Sequence, residues 1–220
     1  MIKAVLWDLD GTLVDSAEFH WQAWRDVMAD TGSPITYEQF VHSFGKRNDL
    51  ILSGWLGEVS DPARMRRLSE EKESRFRALV GAHGIEPLPG VGAWVARLHA
   101  EGWRHAIATS APRLNLEALV DAMQMRQFFS ADVAAEDVTH GKPDPEVFLL
   151  AASRLGVEPG RAIVVEDAPT GIEAGRRAGM RTIGVSLMHT LSAADVCVRT
   201  LPDLPADTFD QLLERVSGRS

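Results

Sequence analysis

The apolar run Ile2–Trp7 (IKAVLW) restricts the fold more than any other feature of the chain. It is short, nearly continuous in apolar residues, and runs directly into Asp8-Leu9-Asp10-Gly11. A strand written this way is buried on both faces and needs a neighbour on each side. Nothing nearby can supply one, because no comparable run occurs between Asp15 and about Gly84, and the next opens at His105. The first strand must therefore pair across an insertion.

The insertion carries helical spacing: Phe19, Trp21, Ala23, Trp24, Val27 and Met28, then Leu68, Phe76, Leu79 and Val80, with charges between. Gly45, Gly54 and Gly57 are expected to divide it into separate helices. From Pro87 onward, apolar runs return at 105–109 (HAIAT), 131–135 (ADVAA), 162–166 (AIVVE), 182–185 (TIGV) and 196–198 (VCV), alternating with helical patterns. Strands separated by helices imply a parallel sheet covered on both faces. The expected class is α/β: a Rossmann-like doubly wound core (1–15 and 87–220) with an inserted all-α cap (16–86). PLPG (87–90) and PGVGAW (89–94) would form the return hinge. Gly175 and Gly179 have GxxxG spacing, read as close packing of a helix on the sheet.

Composition narrows the partners. The 220 residues hold 31 Asp plus Glu against 23 Lys plus Arg, a formal charge of −8. A nucleic-acid ligand calls for a basic footprint, so none is expected. No stretch approaches a membrane span, and the start of the chain does not read as a signal peptide. Cys197 is alone, which suits a reducing, cytoplasmic location. A monomer or small homo-oligomer is expected.

In open α/β sheets ligands bind at the carboxyl ends of strands, where helix N-termini aim their N–H groups. The unusual polar residues lie there. Asp8 and Asp10 close the first run; Asp-Gly also signals a hairpin, but the helical character after Gly11 fits one poorly. Thr109 and Ser110 end the second run, where Ser110 could simply cap a helix. Lys142 sits in a loop before a helix, a usual place for a solvated lysine. Glu166-Asp167 end an apolar strand, and a cap would need only one of them. Taken together, paired carboxylates at two strand ends could hold a hard divalent cation, while a hydroxyl, a lysine and backbone N–H groups bind phosphate oxygens. A free carboxylate would then attack and another would move a proton.

WDLDGTLVDS (7–16), IATS (107–110), GKPDP (141–145) and VVEDAPTGIEAGRRAG (164–179), in this order, resemble the four motifs of the haloacid dehalogenase-like superfamily, in its helical-cap phosphatase and phosphomutase branch. The resemblance implies Asp8 as the nucleophile that becomes an aspartyl phosphate and Asp10 as general acid and base. It implies Thr109, with Ser110, as phosphoryl-binding and Lys142 as the charge-offsetting lysine. Asp8, Asp10, Asp167 and Glu166 would hold Mg²⁺. Dehalogenases of similar sequence lack the second aspartate, so Asp10 argues for a phosphate ester.

The cap would choose the substrate. Lys46, Arg47 and Asn48 occupy the position of the family's substrate-selecting loop, and could equally be an exposed helix entry. His20 matches a hinge histidine of β-phosphoglucomutases, whose cap arginine is replaced here by Asn48. Lys72 falls near a mutase cap lysine, though on a charged helix a solvated face is the plainer reading. The expectation is a Mg²⁺-dependent phosphatase of a small sugar or polyol phosphate. A phosphomutase is the alternative, then a phosphorylation-driven binding switch. A phosphonate hydrolase would need a Schiff-base lysine, for which Lys46 is the candidate.

Overall fold

The computed structural model describes residues 2–43, 47–57 and 61–217, with side chains through 214. The chain divides into two compact units, one of residues 1–15 with 86–220, the other of residues 16–85. In order, the elements are β1 (Ala4–Trp7), α1 (Ala17–Asp30), α2 (Tyr37–Ser43), α3 (Asn48–Leu56), α4 (Pro62–His83), α5 (Val91–Ala100), β2 (Arg104–Ala108), α6 (Arg113–Ala122), β3 (Ala131–Val133), α7 (Glu146–Leu155), β4 (Ala162–Glu166), α8 (Pro169–Arg177), β5 (Arg181–Val185), β6 (Val196–Val198) and α9 (Thr208–Ser217).

The six strands form one parallel sheet in the order β3-β2-β1-β4-β5-β6. β1, wholly buried, lies at the centre, with Trp7 opposite Ile107 of β2 and Val165 of β4. The direction of winding reverses between β1 and β4. A crevice opens at such a reversal because the connections leave toward opposite faces, and it opens at the carboxyl ends of the strands.

Alternation along β1 assigns the faces. Ala4 and Leu6 pack with Ala106, Ala108, Val164 and the α7 residues Val147, Phe148 and Ala151. Trp7 points the other way, to an aromatic layer in which the Phe209 ring lies 6.4 Å from Trp7, 5.1 Å from Trp94 and 5.9 Å from Trp103. Both faces are thus covered by helices. Gly175 lets α8 lie against the sheet: a β-carbon there would sit 2.9 Å from Thr182 Cγ2. Gly179, by contrast, has nothing within 4 Å and a φ of +74°, so its use is the left-handed turn that ends the helix. The chain leaves this unit beside the point of return, with Leu88 N–H donating to Leu13 O at 2.8 Å.

The helical unit has its own core of Trp24, Met28, Phe40, Ile51 and Leu52, with Trp55 edge-on to Trp24 at 5.2 Å. Asp61 caps α4 by accepting from Ala63 N–H, and Pro62 occupies the first turn. Gly54 does not break a helix but lies within α3. Packing of Ile51 and Leu52 outweighs its poor propensity, about 1 kcal/mol. Gly57, with φ +85°, ends that helix.

One buried titratable group stands beside β1. His105 is fully buried and its Nδ1 accepts the Trp7 Nε1–H at 3.0 Å. The neutral ring's hydrogen is therefore on Nε2, which has no partner among the described residues. Burial, then the neighbouring His99, lower the His105 pKa from 6.5 to about 4. The unfolded chain takes up this proton as pH falls below 6.5 while the folded chain does not until about 4. The contribution of His105 to stability should therefore fall across that window, by ~1.4 kcal/mol per pH unit and about 3 kcal/mol in all. Denaturant midpoints measured from pH 7 to 4 should show the wild type losing ground to His105→Gln with a slope of about one proton; a pH-independent difference between the two proteins would refute the assignment.

Candidate active site

The end of β1 and the end of β4 meet where the sheet reverses, and the backbone fixes their register, with Asp8 N–H donating to Val165 O at 3.0 Å. Asp8 is thereby set beside Glu166, the last residue of β4. Both are buried, at 7% and 2% exposure. Two carboxylates in so little water require a cation between them, and Lys142 is there. Its Nζ lies 2.5 Å from Asp8 Oδ1 and 2.7 Å from Glu166 Oε1. The lysine is not solvated: its side chain is 6% exposed and lies 5.0 Å from the Phe148 ring centroid.

Glu166 spends both oxygens. Oε1 accepts from Lys142, while Oε2 accepts the Ala168 N–H at 2.7 Å, which also shapes the turn into α8. Asp167, half-buried, follows; Gly11 passes so close that a β-carbon there would lie 2.2 Å from Asp167 Oδ2. With a φ of +88°, Gly11 needs to be glycine twice over. Asp10 is half-buried in the same turn after β1, where Gly11 N–H donates to Val14 O at 2.7 Å.

Thr109 follows the last residue of β2, the strand adjacent to β1, and is buried at 2% exposure. Its Oγ1 accepts the Ala111 N–H at 3.0 Å. Thr109, rather than the exposed Ser110, therefore makes the turn that leads into α6. The structure thus brings Asp8, Lys142, Glu166 and Asp167 into one group, with Asp10 in the adjoining turn and Thr109 on the neighbouring strand end.

Asp8, Glu166 and Asp167 each offer an oxygen within 4.8 Å of the others. One lysine does not balance them. Burial, then Glu166, raise the Asp8 pKa to about 7 against the pull of Lys142. Burial, then Asp8 and Glu166, push Asp167 up to about 9. Burial works on Lys142 in the opposite sense, but Asp8 and Glu166 outweigh it and hold the ammonium firmly charged. A crowded set of hard oxygen donors short of positive charge is what a divalent cation such as Mg²⁺ satisfies. The donors present fit it. Glu166 has least to offer directly, since both its oxygens are engaged. His140, Asp144 and Glu146 also cluster, but there Glu146 accepts the Thr139 and His140 N–H groups and Asp144 accepts that of Glu146, as a loop entering a helix does.

The helical unit holds a second polar cluster. Lys72 is not on a solvated face: its side chain is 3% exposed, and its Nζ lies 2.9 Å from Glu73 Oε1 and 2.7 Å from His20 Nδ1. The Asn48 amide donates to the same Glu73 oxygen at 2.7 Å, and the His20 ring stacks on Phe76 at 4.0 Å. Arg47 lies apart, 80% exposed and paired with Asp49. Lys46 is outside the described residues. Sequence reasoning named His20 and Asn48 but not Glu73. It also passed over Gly171, where a β-carbon would lie 1.8 Å from Glu166 Oε1. The signal available was a glycine in the first turn of a helix that begins two residues after a pair of acids.

Residues 2–179 match the haloacid dehalogenase-like hydrolase family. The chain is 33% identical over 187 residues to fructose-1-phosphate phosphatase YqaB of Escherichia coli (strain K12), covering 84% of this chain and 96% of that protein. It is 29% identical over 220 residues to β-phosphoglucomutase of Bacillus subtilis (strain 168), covering 97% and 96%. The crystal structure of β-phosphoglucomutase from Clostridium difficile superposes with a TM-score of 0.87 at 25% identity, over 100% of both chains.

Protons on Asp8 and Asp167 must leave before a cation can take their oxygens. Mg²⁺ affinity should therefore rise from pH 6 to pH 8, about tenfold per pH unit for each proton released. Calorimetric titration in buffers of different ionisation enthalpy reads both quantities. A pH-independent affinity with no proton release would place Mg²⁺ elsewhere.

Proposed function

The chain belongs to the haloacid dehalogenase-like hydrolases, and from that premise we propose that it is a Mg²⁺-dependent phosphatase of a small sugar or polyol phosphate, working through an aspartyl phosphate. The observation that carries this reading is the Lys142 ammonium held between Asp8 and Glu166 at the reversal of the sheet. A carboxylate pinned in one orientation by a buried cation can attack phosphorus in line, and the same cation offsets charge as the phosphoryl group approaches.

The two steps balance. An Asp8 oxygen forms a bond to phosphorus as the bond to the ester oxygen breaks, and Asp10 gives that oxygen its proton. Asp10 then removes a proton from water, whose oxygen attacks the phosphoaspartate and returns Asp8 as carboxylate. Thr109 and Ser110 bind phosphoryl oxygens from the end of β2. Mg²⁺, held by Asp8, Asp167 and the Asp10 backbone carbonyl with Glu166 beside them, would neutralise phosphoryl charge.

The helical unit takes the role of selecting the organic part of the substrate, through His20, Asn48, Arg47 and Lys46. Its chemistry favours hydrolysis over return of the phosphoryl group to the sugar. The Lys72 charge is already matched by Glu73, and the position of the mutase arginine is held by Asn48, whose amide is bound to that same carboxylate. Such a cluster suits hydroxyl groups better than a second phosphate. Its similarity to fructose-1-phosphate phosphatase and its departure from the mutase pattern point the same way.

Phosphate release from a panel of sugar and polyol phosphates with Mg²⁺ should be measured beside two variants. Asp8→Asn should abolish turnover with the fold intact, and Lys142→Ala should lose roughly 10²–10³-fold in kcat, the scale of a lost charge-stabilising donor. Near-normal turnover by Asp8→Asn would overturn the mechanism. A panel that stays silent while β-glucose 1-phosphate is isomerised in the presence of a bisphosphate primer would make the protein a mutase.

A further inference from the structure

Lys142 is oriented by Glu166, and Glu166 in turn lies against a residue with no side chain. Gly171 is buried in the first turn of α8. A β-carbon at Gly171 would lie 1.8 Å from Glu166 Oε1, 2.0 Å from Cδ and 2.5 Å from Cγ. Real contacts of this kind do not fall below 3.0 Å. The conflict reaches Cγ as well as the carboxylate tip, so rotating the end of the side chain cannot relieve it. Nor can Glu166 withdraw without cost, since one oxygen is bound to Lys142 and the other to the Ala168 N–H. Backbone conformation does not demand glycine here: unlike Gly11, Gly171 does not have a positive φ. Glycine inside a helix is a poor residue for stability. Its compensation at 171 is space for a carboxylate.

We propose that Gly171 is a positioning residue of the active site, the seat on which Glu166 lies, and that through Glu166 it sets where Lys142 holds Asp8. The inference rests on the reading of Asp8 and Lys142 as reactive carboxylate and partner. It adds that the geometry of this pair is decided on α8, by the absence of a methyl group. The path is short and contiguous: Gly171 against Glu166, Glu166 to Lys142 at 2.7 Å, Lys142 to Asp8 at 2.5 Å.

Gly175, one turn along the same helix, provides the control. A β-carbon there meets only hydrocarbon, 2.9 Å from Thr182 Cγ2 and 3.1 Å from Val164 Cγ2. Gly175→Ala should lower the melting temperature while leaving the Mg²⁺ dissociation constant and the turnover of p-nitrophenyl phosphate per folded molecule unchanged. Gly171→Ala should weaken Mg²⁺ binding, titrated calorimetrically with the metal alone, by about tenfold, and should reduce kcat at saturating Mg²⁺ by a similar factor. Truncating the acid at its β-carbon restores room for the methyl group, so Glu166→Ala with Gly171→Ala should bind Mg²⁺ at least about fivefold more tightly than the two single effects predict. A helix-packing role for Gly171 would give no such coupling to Glu166.

Wild-type Mg²⁺ affinity in Gly171→Ala, or additive behaviour in the cycle, would overturn the proposal. If Gly171→Ala does not fold, the cycle is read in melting temperature. The double variant is then expected to fold and melt higher, and a double variant no better than the single overturns the proposal. Failure of the underlying mechanism is distinguishable, because only that would leave Asp8→Asn active.

Discussion

The structure depends on a local excess of negative charge that it cannot disperse. Asp8, Glu166 and Asp167 converge within 4.8 Å, two of them nearly sealed from water. Charges in that position repel more strongly than at the surface, because solvent no longer screens them. Lys142 relieves part of the strain by touching two of them at once. Truncating such a cation would leave the acids unpaired and buried, which is far costlier than never having placed them there. The arrangement is therefore expensive as architecture, and on the proposed reading its use lies in phosphoryl chemistry.

The fold makes that crowding unavoidable. β1 is the central strand, flanked by β2 and β4 in register, so whatever follows Trp7 is delivered beside whatever follows Val165. The backbone bond from Asp8 N–H to Val165 O extends the ladder one residue past the strand. Beneath it, Trp7 is fixed by Phe209 and by its hydrogen bond to His105. The residue before Asp8 is thus anchored in the aromatic layer on one face. The carboxylate itself emerges at the reversal, where the connections diverge and leave a crevice. Precision at the site derives from burial behind it.

Much of this was legible in the sequence, and the reasons differ by residue. The isolated run at 4–7 forced long-range parallel pairing, and the acids closing β1 and β4 had to come together once those strands became neighbours. Lys142 could be placed only by family resemblance, because a lysine in a loop has no periodic signature. Lys72 was misread as solvated. Its spacing of four to Phe76 and of eight to Val80 puts it on the buried stripe of α4, but an ammonium on such a stripe is credible only once Glu73, His20 and the Trp24 ring, 5.5 Å from its Nζ, are known to receive it. Gly54 was misread because a glycine's cost in a helix is small beside the burial of two neighbouring apolar side chains. Gly171 was silent, since a close approach is a property of three dimensions.

The two buried lysines solve one problem in opposite ways. Lys142 is outnumbered by its acids, so the group stays short of positive charge and keeps an appetite for a cation and for phosphate. Lys72 is matched by Glu73, and the amide of Asn48 and the ring of His20 complete a cluster whose hydrogen bonds are satisfied locally. A buried pair of that kind adds little net stability over well-packed hydrocarbon. It offers directional polar groups without a strong field, which is the kind of surface that distinguishes one arrangement of hydroxyls from another. On the proposed reading the division is physical: the sheet supplies the field that any phosphate ester would meet, and the helical unit supplies hydrogen-bond geometry that only some esters could satisfy.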